Sequence, residues 1–411
     1  MRSTIQIIAI LILLSTGQTY AQYFGSVPFL NYPVSAQALG MGGVGTAFVS
    51  DNATATIANP AQLGIFSLNG MLNASTDLHN SLGPPYYGNA ASLYATGANA
   101  GFILNSLWAE LPVQVGVGVG YSHLLYNSEF ILGGAQWPSQ MTGASNGLSF
   151  GIGLEDFLRI GIGYTLKWIN SPNPNFFVKQ TGEDVGAIVQ VPVSALINGS
   201  TRDWAARSNG VEPVYNFTLG YAMRNLGKYE FESEYLPTEA DLGWSLEAGL
   251  RTSVTGQSWE WLSVSWSNQA GASPFYTDST VGTMYGADTV WDYVSRYQKG
   301  FGHFGVWQNL AIGKGSQTVG VRKGGQIGLG EFIYIRAGAI TDAGQTTYST
   351  FGWGLRLDGL AKCLVFFKWL DPNAPVAKFL LDHLDVQYDY SRAYGGIYDG
   401  KPFEDLNLVV R

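Results

Sequence analysis

The chain has 411 residues, of which only 13% are Asp, Glu, Lys or Arg, and a net charge of −8; an ordinary soluble domain carries about 25% charged residues. An acidic chain so poor in cations is ill-suited to nucleic-acid phosphates, and 14% aromatic residues exclude a disordered or linker-like chain. The single cysteine, Cys363, excludes an intrachain disulfide framework and a multi-cysteine metal site. Arg2 opens the chain with a positive charge, Ile5 to Leu14 form an apolar run, and Thr19-Tyr20-Ala21 makes a small-residue cleavage site. This pattern predicts a secretory signal peptide over residues 1–21. No later apolar stretch approaches the roughly 20 residues of a transmembrane helix.

From about residue 67 onward the pattern has period two. Val113, Val115, Val117, Val119 and Tyr121 share one face, with Gln114, Gly116, Gly118, Gly120 and Ser122 on the other. Between Leu158 and Trp168 an apolar face opposes Arg159, Gly161, Gly163, Thr165 and Lys167. Phe351, Trp353, Leu355 and Leu357 oppose Gly352, Gly354, Arg356 and Asp358; Leu384, Val386, Tyr388 and Tyr390 oppose Asp385, Gln387, Asp389 and Ser391. Side chains alternate across a strand, so each segment has one apolar face and one small or charged face.

A soluble sandwich turns the apolar face inward; an outer-membrane barrel turns it outward to lipid. Segments of about ten residues, the length that crosses a bilayer at a tilt, favour the barrel. So do Tyr121, Trp168, Trp266 and Tyr390, expected near strand ends as an interfacial girdle, and the glycines beside single charges on the polar face. The expected fold is all-β: a transmembrane antiparallel β-barrel of about 14 strands in the cell outer membrane, with outer-membrane lipid around it. Fifteen starts are visible, near residues 68, 91, 111, 147, 157, 184, 213, 243, 258, 302, 316, 331, 347, 383 and 405. Turns at Glu155-Asp156 and Thr255 to Ser258 are expected to be periplasmic, and the long stretches 125–146 and 269–301 extracellular. Parity does not close, because the short connections near Lys314 and near Gly328 to Glu331 would have to lie on opposite sides. Two insertions interrupt the strands. Residues 269–301 carry Phe275, Tyr276, Tyr285, Trp291, Tyr293 and Tyr297, a candidate partner-binding loop with a short amphipathic helix from Asp288 to Lys299. Residues 361–382 carry an apolar patch, Cys363 to Trp369, followed by Asp371-Pro372. For both insertions the plainer reading is a loop packed on its own barrel, and the alternative is a partner-binding surface.

Several motifs imitate chemistry. Gly40-Met41-Gly42-Gly43-Val44-Gly45 matches the dinucleotide fingerprint, which needs a strand before it, a helix after it and an acid about 20 residues on; Pro28 and Pro33 interrupt the preceding segment, and no acid lies near residue 65. His79, His123, His303 and His383 lack metal-ligand spacing. His383, between Asp382 and Asp385, has no accompanying nucleophile motif. No catalytic residue, metal or cofactor is therefore assigned. Arg159, Lys167, Glu247, Arg251, Arg336, Arg356, Asp358, Asp385 and Asp389 are expected to form a buried, mutually paired lumenal network, since an unpaired charge in a confined lumen is costly.

The stretch Val27 to Phe66, VPFLNYPVSAQALGMGGVGTAFVSDNATATIANPAQLGIF, resembles the N-terminal segment of the PorV/PorQ family, related to FadL-type outer-membrane transporters. The resemblance continues in order through LGYAMRNLG (Leu219 to Gly227), LPTEADLG (Leu236 to Gly243), Ile335-Arg336-Ala337-Gly338, TFGWGLRLD (Thr350 to Asp358) and LDVQYDY (Leu384 to Tyr390). It implies a 14-stranded barrel over 67–411 with an N-terminal hatch over 22–66 in the lumen. The hatch motif would comprise Gly40, Gly42, Gly43, Asp51, Asn59, Pro60 and Ala61, with Pro60 fixing a turn, and Asn59-Pro60-Ala61 also reads as a plain hatch turn with no ligand role. The chain departs from the family pattern in its 361–382 insertion and in ending on Leu408-Val409-Val410-Arg411, without a terminal aromatic. The resemblance implies type IX secretion, with binding of the C-terminal signal domain of exported proteins and contact with other secretion-system components. The alternative is transport of a hydrophobic small molecule across the outer membrane.

Overall fold

The computed structural model describes residues 33–82, 91–104, 113–132, 135–154, 157–170, 179–198, 211–227, 239–254, 257–272, 306–315, 319–341, 347–395 and 400–411. Its strands are β1 (Leu72–Leu82), β2 (Ala91–Ile103), β3 (Val113–Leu132), β4 (Ala135–Leu154), β5 (Leu158–Asn170), β6 (Lys179–Pro192) and β7 (Glu212–Leu226). They continue as β8 (Glu239–Val254), β9 (Gln257–Ala272), β10 (Val319–Leu329), β11 (Ile333–Thr341), β12 (Thr347–Arg356), β13 (Leu384–Tyr394) and β14 (Pro402–Val410). Each pairs antiparallel with its neighbours in sequence, and Leu72 of β1 pairs with Val410 of β14 to close the barrel. Closure leaves no open sheet edge.

The two faces are sorted in the reverse of a soluble protein. Ile162 (57% exposed), Phe150 (51%), Trp266 (48%) and Ile335 (46%) point outward, whereas Arg336, Asp385, Asp389 and Asp405 are at most 1% exposed on the inside. That distribution suits a barrel surrounded by hydrocarbon. The even strand number puts the start of β1 and the end of β14 at one end, here the near end; the β4–β5, β8–β9 and β10–β11 connections share it. The far end carries the β3–β4 and β9–β10 connections.

Four expectations are corrected. The start near residue 302 is not a strand: Val306–Ile312 is helical, and the Lys314 connection leads into β10 rather than reversing between two strands. Removing that strand gives 14 and resolves the parity conflict. The stretch 125–146 is mostly the outer part of β3 and β4, which run 20 residues each and pair up to Leu132–Ala135. Tyr121 and Trp266 consequently lie within long strands rather than at their ends. Finally, Leu357 and Asp358 leave the β12 alternation and begin a helix. The aromatic loop residues Phe275 to Tyr297 and residues 1–32 lie outside the described residues.

Residues 33–68 carry three short helices, α1 (Ala36–Gly40), α2 (Ala55–Ala58) and α3 (Gln62–Ser67). α3 packs on β2 to β5 and α1 on β11 to β14. These two groups of strands flank β1, and Asn59, Thr46 and Ala47 lie against Gly186 of β6, Gly220 of β7 and Gly243 of β8, so the segment fills the barrel interior from wall to wall. Two more short helices follow, α4 (Val193–Asn198) and α5 (Val306–Ile312). The 361–382 insertion becomes α6 (Leu357–Phe366) and α7 (Pro375–Asp382) at the near end. Pro375 stands in the first turn of α7, where its missing N–H costs nothing. Ala361 and Val365 of α6 and Leu381 of α7 bury Trp259 and Val254 of the β8–β9 hairpin. Trp259 Nε1 also donates to Gly330 O at 2.8 Å. The insertion therefore packs on its own barrel, while Phe367, Trp369, Val376 and Phe379 remain on its outer surface.

Candidate functional site

The lumen is organised by the N-terminal segment, which is seated backbone-first against glycines of the wall. A Cβ on Gly220 would collide with the Thr46 carbonyl, and one on Gly324 with the Met41 carbonyl. Gly40 lies against Gly352, and Gly42 against the backbone of Lys323 and Ala339. Gly42 and Gly43 have φ of 73° and 74°, a left-handed pair that other L-residues adopt only with strain. Their amides close α1, Gly42 N donating to Leu39 O at 2.9 Å and Gly43 N to Ala38 O at 2.7 Å.

Asn59 is the most heavily engaged side chain of the expected motif. It is fully buried, and its Nδ2 donates to Thr46 O at 2.7 Å, Tyr221 O at 3.2 Å and Ala187 O at 3.4 Å. Its Oδ1 accepts from Ala61 N at 3.0 Å, which holds the turn between α2 and α3. Pro60 O accepts from Ser149 Oγ at 2.8 Å. Asp51 reaches the wall three times: its carbonyl accepts from Asn73 Nδ2 and from Asn407 Nδ2, the latter at 3.2 Å, and its carboxylate lies 3.5 Å from Arg356. A contact outside the expected set completes the seating, Asp405 Oδ2 accepting from Ala36 N at 2.8 Å and Asn52 Nδ2 at 3.3 Å.

The expected lumenal charges fall into separate groups rather than one network. Arg336 bonds Asp389, and Arg356 bonds Asp385 and lies 3.6 Å from Asp358. Lys167 and Arg251 instead take partners absent from the expected set, Asp184 at 2.7 Å and Glu212 at 2.8 Å. Glu247 accepts from Asn216 Nδ2 at 2.9 Å, and Arg159 is half-buried toward the near end of β5. At the far end Arg224 bonds Asp241 at 2.7 Å and also Glu239, which lies 3.7 Å from Arg322. These residues belong to the stretches LGYAMRNLG and LPTEADLG; the acids following Pro237 and the arginine following Met223 were the available signal.

Asp358, at the start of α6, ties the near end together. Its carboxylate is 2.7 Å from Arg411 Nη2 and 3.6 Å from Lys362 Nζ, and Lys362 also bonds Glu331 at 2.6 Å. Burial alone would push this carboxyl up, but Arg356, Lys362 and Arg411 together hold it well below the usual carboxylate range.

Two halves of the lumen differ in chemistry. On the far side Leu93, Leu124, Tyr126, Tyr348 and Phe403 of the wall cluster with Val34, Leu39 and Ile57 of the N-terminal segment. A crevice of about 30 Å³ continues into that segment, between Val44, Phe48 and Ile57, with Arg224 and Arg322 beside it. On the near side lies a cavity of about 220 Å³ with amide, hydroxyl and carboxylate walls, bounded above by Phe48 to Asp51. Among the described residues no group of His, Cys, Asp or Glu has the geometry to hold a metal ion.

No protein-family profile and no curated protein matches the chain. Among solved structures it is similar to the Pseudomonas putida toluene transporter TodX, at 11% identity over 92% of this chain and 96% of that one, with a TM-score of 0.34. It is also similar to a Pseudomonas aeruginosa FadL homologue, at 9% identity over 92% and 96%, TM-score 0.40, and to Pseudomonas putida OprB, at 9% over 88% and 98%, TM-score 0.36. The 14-strand closure rests on this chain's own strand pairing.

Proposed function

We propose that the chain is an outer-membrane barrel that takes small hydrophobic molecules from the cell exterior, with residues 33–68 acting as a hatch. An apolar patch in the far half of the lumen carries this reading. Lumenal positions in a water-filled barrel are polar, yet Leu93, Leu124, Tyr126 and Phe403 project inward and meet apolar side chains of the hatch. The far end is the exterior in this reading, because both ends of the barrel's strand sequence lie at the near end and the outermost β3–β4 hairpin lies at the far end. The crevice in the hatch, about 30 Å³, holds about one water. Uptake therefore requires the hatch to shift, and its hydrogen bonds through Asn59 and Asp405 are the contacts that would have to yield. Uptake of a labelled long-chain fatty acid and of toluene by cells with and without the protein tests the reading. Leu124→Glu should abolish protein-dependent uptake while the barrel still assembles; uptake unchanged by that substitution would exclude the far lumen as the route.

A second reading is the secretion role implied by the resemblance to the PorV/PorQ family, and β3 and β4 favour it. Their 20 residues extend roughly 65 Å along the strand, about 50 Å along the barrel axis at the usual tilt, against an apolar band of about 25 Å. The projecting hairpin offers an exported polypeptide a docking surface. Deleting the gene should then remove type IX substrates from the cell surface, whereas normal secretion with lost hydrophobic uptake would leave transport alone.

A further inference from the structure

The near-side cavity lies apart from the apolar far lumen, and its chemistry is opposite. Two of its acids are already matched: Asp51 stands 3.5 Å from Arg356, and Glu331 bonds Lys362 at 2.6 Å. Glu247 and Glu260, on adjacent strands β8 and β9, form no ion pair among the described residues; Arg251 stands opposite Glu260 in the β8–β9 register but is held by Glu212 at 2.8 Å. Glu247 holds only the Asn216 amide, at 2.9 Å. A third group points to an absent partner. Ser265, on the lumenal face of β9, is 5% exposed, lines the cavity, and its Oγ has no hydrogen-bond partner. A buried hydroxyl left unpaired is disfavoured, as is a pair of carboxylates in a confined space whose neighbouring cations, Arg251 and Lys362, are already bonded to Glu212 and Glu331.

We propose that this cavity is a binding site for a small organic cation whose ammonium or guanidinium N–H donors bond Glu247 and the facing Ser265 Oγ at one point and Glu260, further along β9 toward the near end, at another. The donor-only character of these cations complements two carboxylates and a hydroxyl free to accept. A bare metal ion does not fit: the described acids are not grouped for coordination, and about 220 Å³ is far larger than a coordination shell requires. The same chemistry is presented by a free polyamine and by the lysine or arginine side chain of a periplasmic polypeptide. The site is independent of the transport reading, since the hatch separates it from the apolar far lumen.

Calorimetric titration of the purified full-length protein in detergent tests the site, with spermidine, a lysine-containing tripeptide and the neutral polyol sorbitol as probes. Spermidine or the tripeptide should bind saturably and sorbitol should not. Glu260→Gln and Glu247→Gln should each weaken binding about tenfold, the scale of one lost charge-assisted hydrogen bond. Asp371→Asn, an exposed change outside the cavity, should leave it intact. Heat-modifiable gel migration checks that each variant is a closed barrel, and having two isosteric variants guards against a folding failure of either. Tighter binding of spermidine assigns the site to free amines, and tighter binding of the tripeptide to a polypeptide. No saturable cation binding, equal binding of sorbitol, or undiminished binding by both glutamine variants would overturn the proposal.

Discussion

At the level of single residues, Asn59 shows how one side chain can decide where a segment sits. Its amide satisfies three carbonyls belonging to the hatch, β6 and β7, so replacing it leaves buried acceptors without a donor. Asn59→Ala should destabilise the seated hatch by roughly 1–3 kcal/mol per orphaned buried group while the strand ladder persists. Limited proteolysis in detergent should then cut within residues 33–68 faster than in the wild type, with the barrel core equally resistant; unchanged hatch cleavage would show that the glycine seats alone hold it. Asp358 makes a different prediction. Its folded carboxyl titrates below the unfolded value, so the unfolded chain binds more protons in the window between them, and stability rises with pH there. The contribution is complete above the ordinary Asp range, about pH 4, and is lost as the pH falls below it. Asp358→Asn takes the carboxylate from the partly exposed Arg411 and leaves Lys362 with Glu331 alone, and should cost roughly 1–3 kcal/mol at neutral pH, a gap that narrows in acid. Urea unfolding at pH 7 and pH 3 measures it.

At the level of elements, legibility follows the range of the interactions. Strand alternation is local, and lipid outside with a crowded lumen inside imposes it on every crossing, so Gly116, Gly118 and Gly120 could be assigned to the lumen without knowing what they touch. The structure supplies the reason for their size: Cβ atoms there would strike Ser67, Leu63 and Asn99. The α6–α7 pair was not legible as helices because its apolar run, Cys363 to Trp369, is short, and its packing partner Trp259 is about a hundred residues away. The charge partners were hidden for the same reason, Asp184 and Glu212 being chosen by barrel register rather than by sequence spacing. Long-range packing yields the element-scale prediction. Trp259→Ala removes the ring on which Phe366 rests at a centroid distance of 4.9 Å and should destabilise the near end by about 3–5 kcal/mol. Hydrogen exchange should rise across α6 and α7 with little change in β3 and β4; a uniform increase over the whole barrel would mean that the helices are not a separable unit.

For the whole molecule, the decisive arrangement is one segment dividing one lumen into two chemistries. A 14-strand barrel must fill its interior or conduct, and residues 33–68 are the described part of the chain that spans from β2–β5 to β11–β14. Above that segment the wall carries the apolar patch of Leu93, Leu124, Tyr126 and Phe403 beside the Arg224–Asp241–Glu239 group, and below it the wall is polar, so a hydrophobic solute crossing the barrel would have to leave its apolar contacts at the hatch. On the proposed transport reading, this makes the hatch, rather than either mouth, the element that controls passage. Reconstituted in planar bilayers, the wild type should show little steady conductance, whereas a chain lacking residues 33–68 should show ohmic conductance with weak cation preference from Glu247 and Glu260. Asn59→Ala should lie between them, with brief openings above a closed baseline. A deletion variant that assembles fully yet stays closed would place the seal in the wall itself, and with it would fall the argument that hatch movement governs uptake.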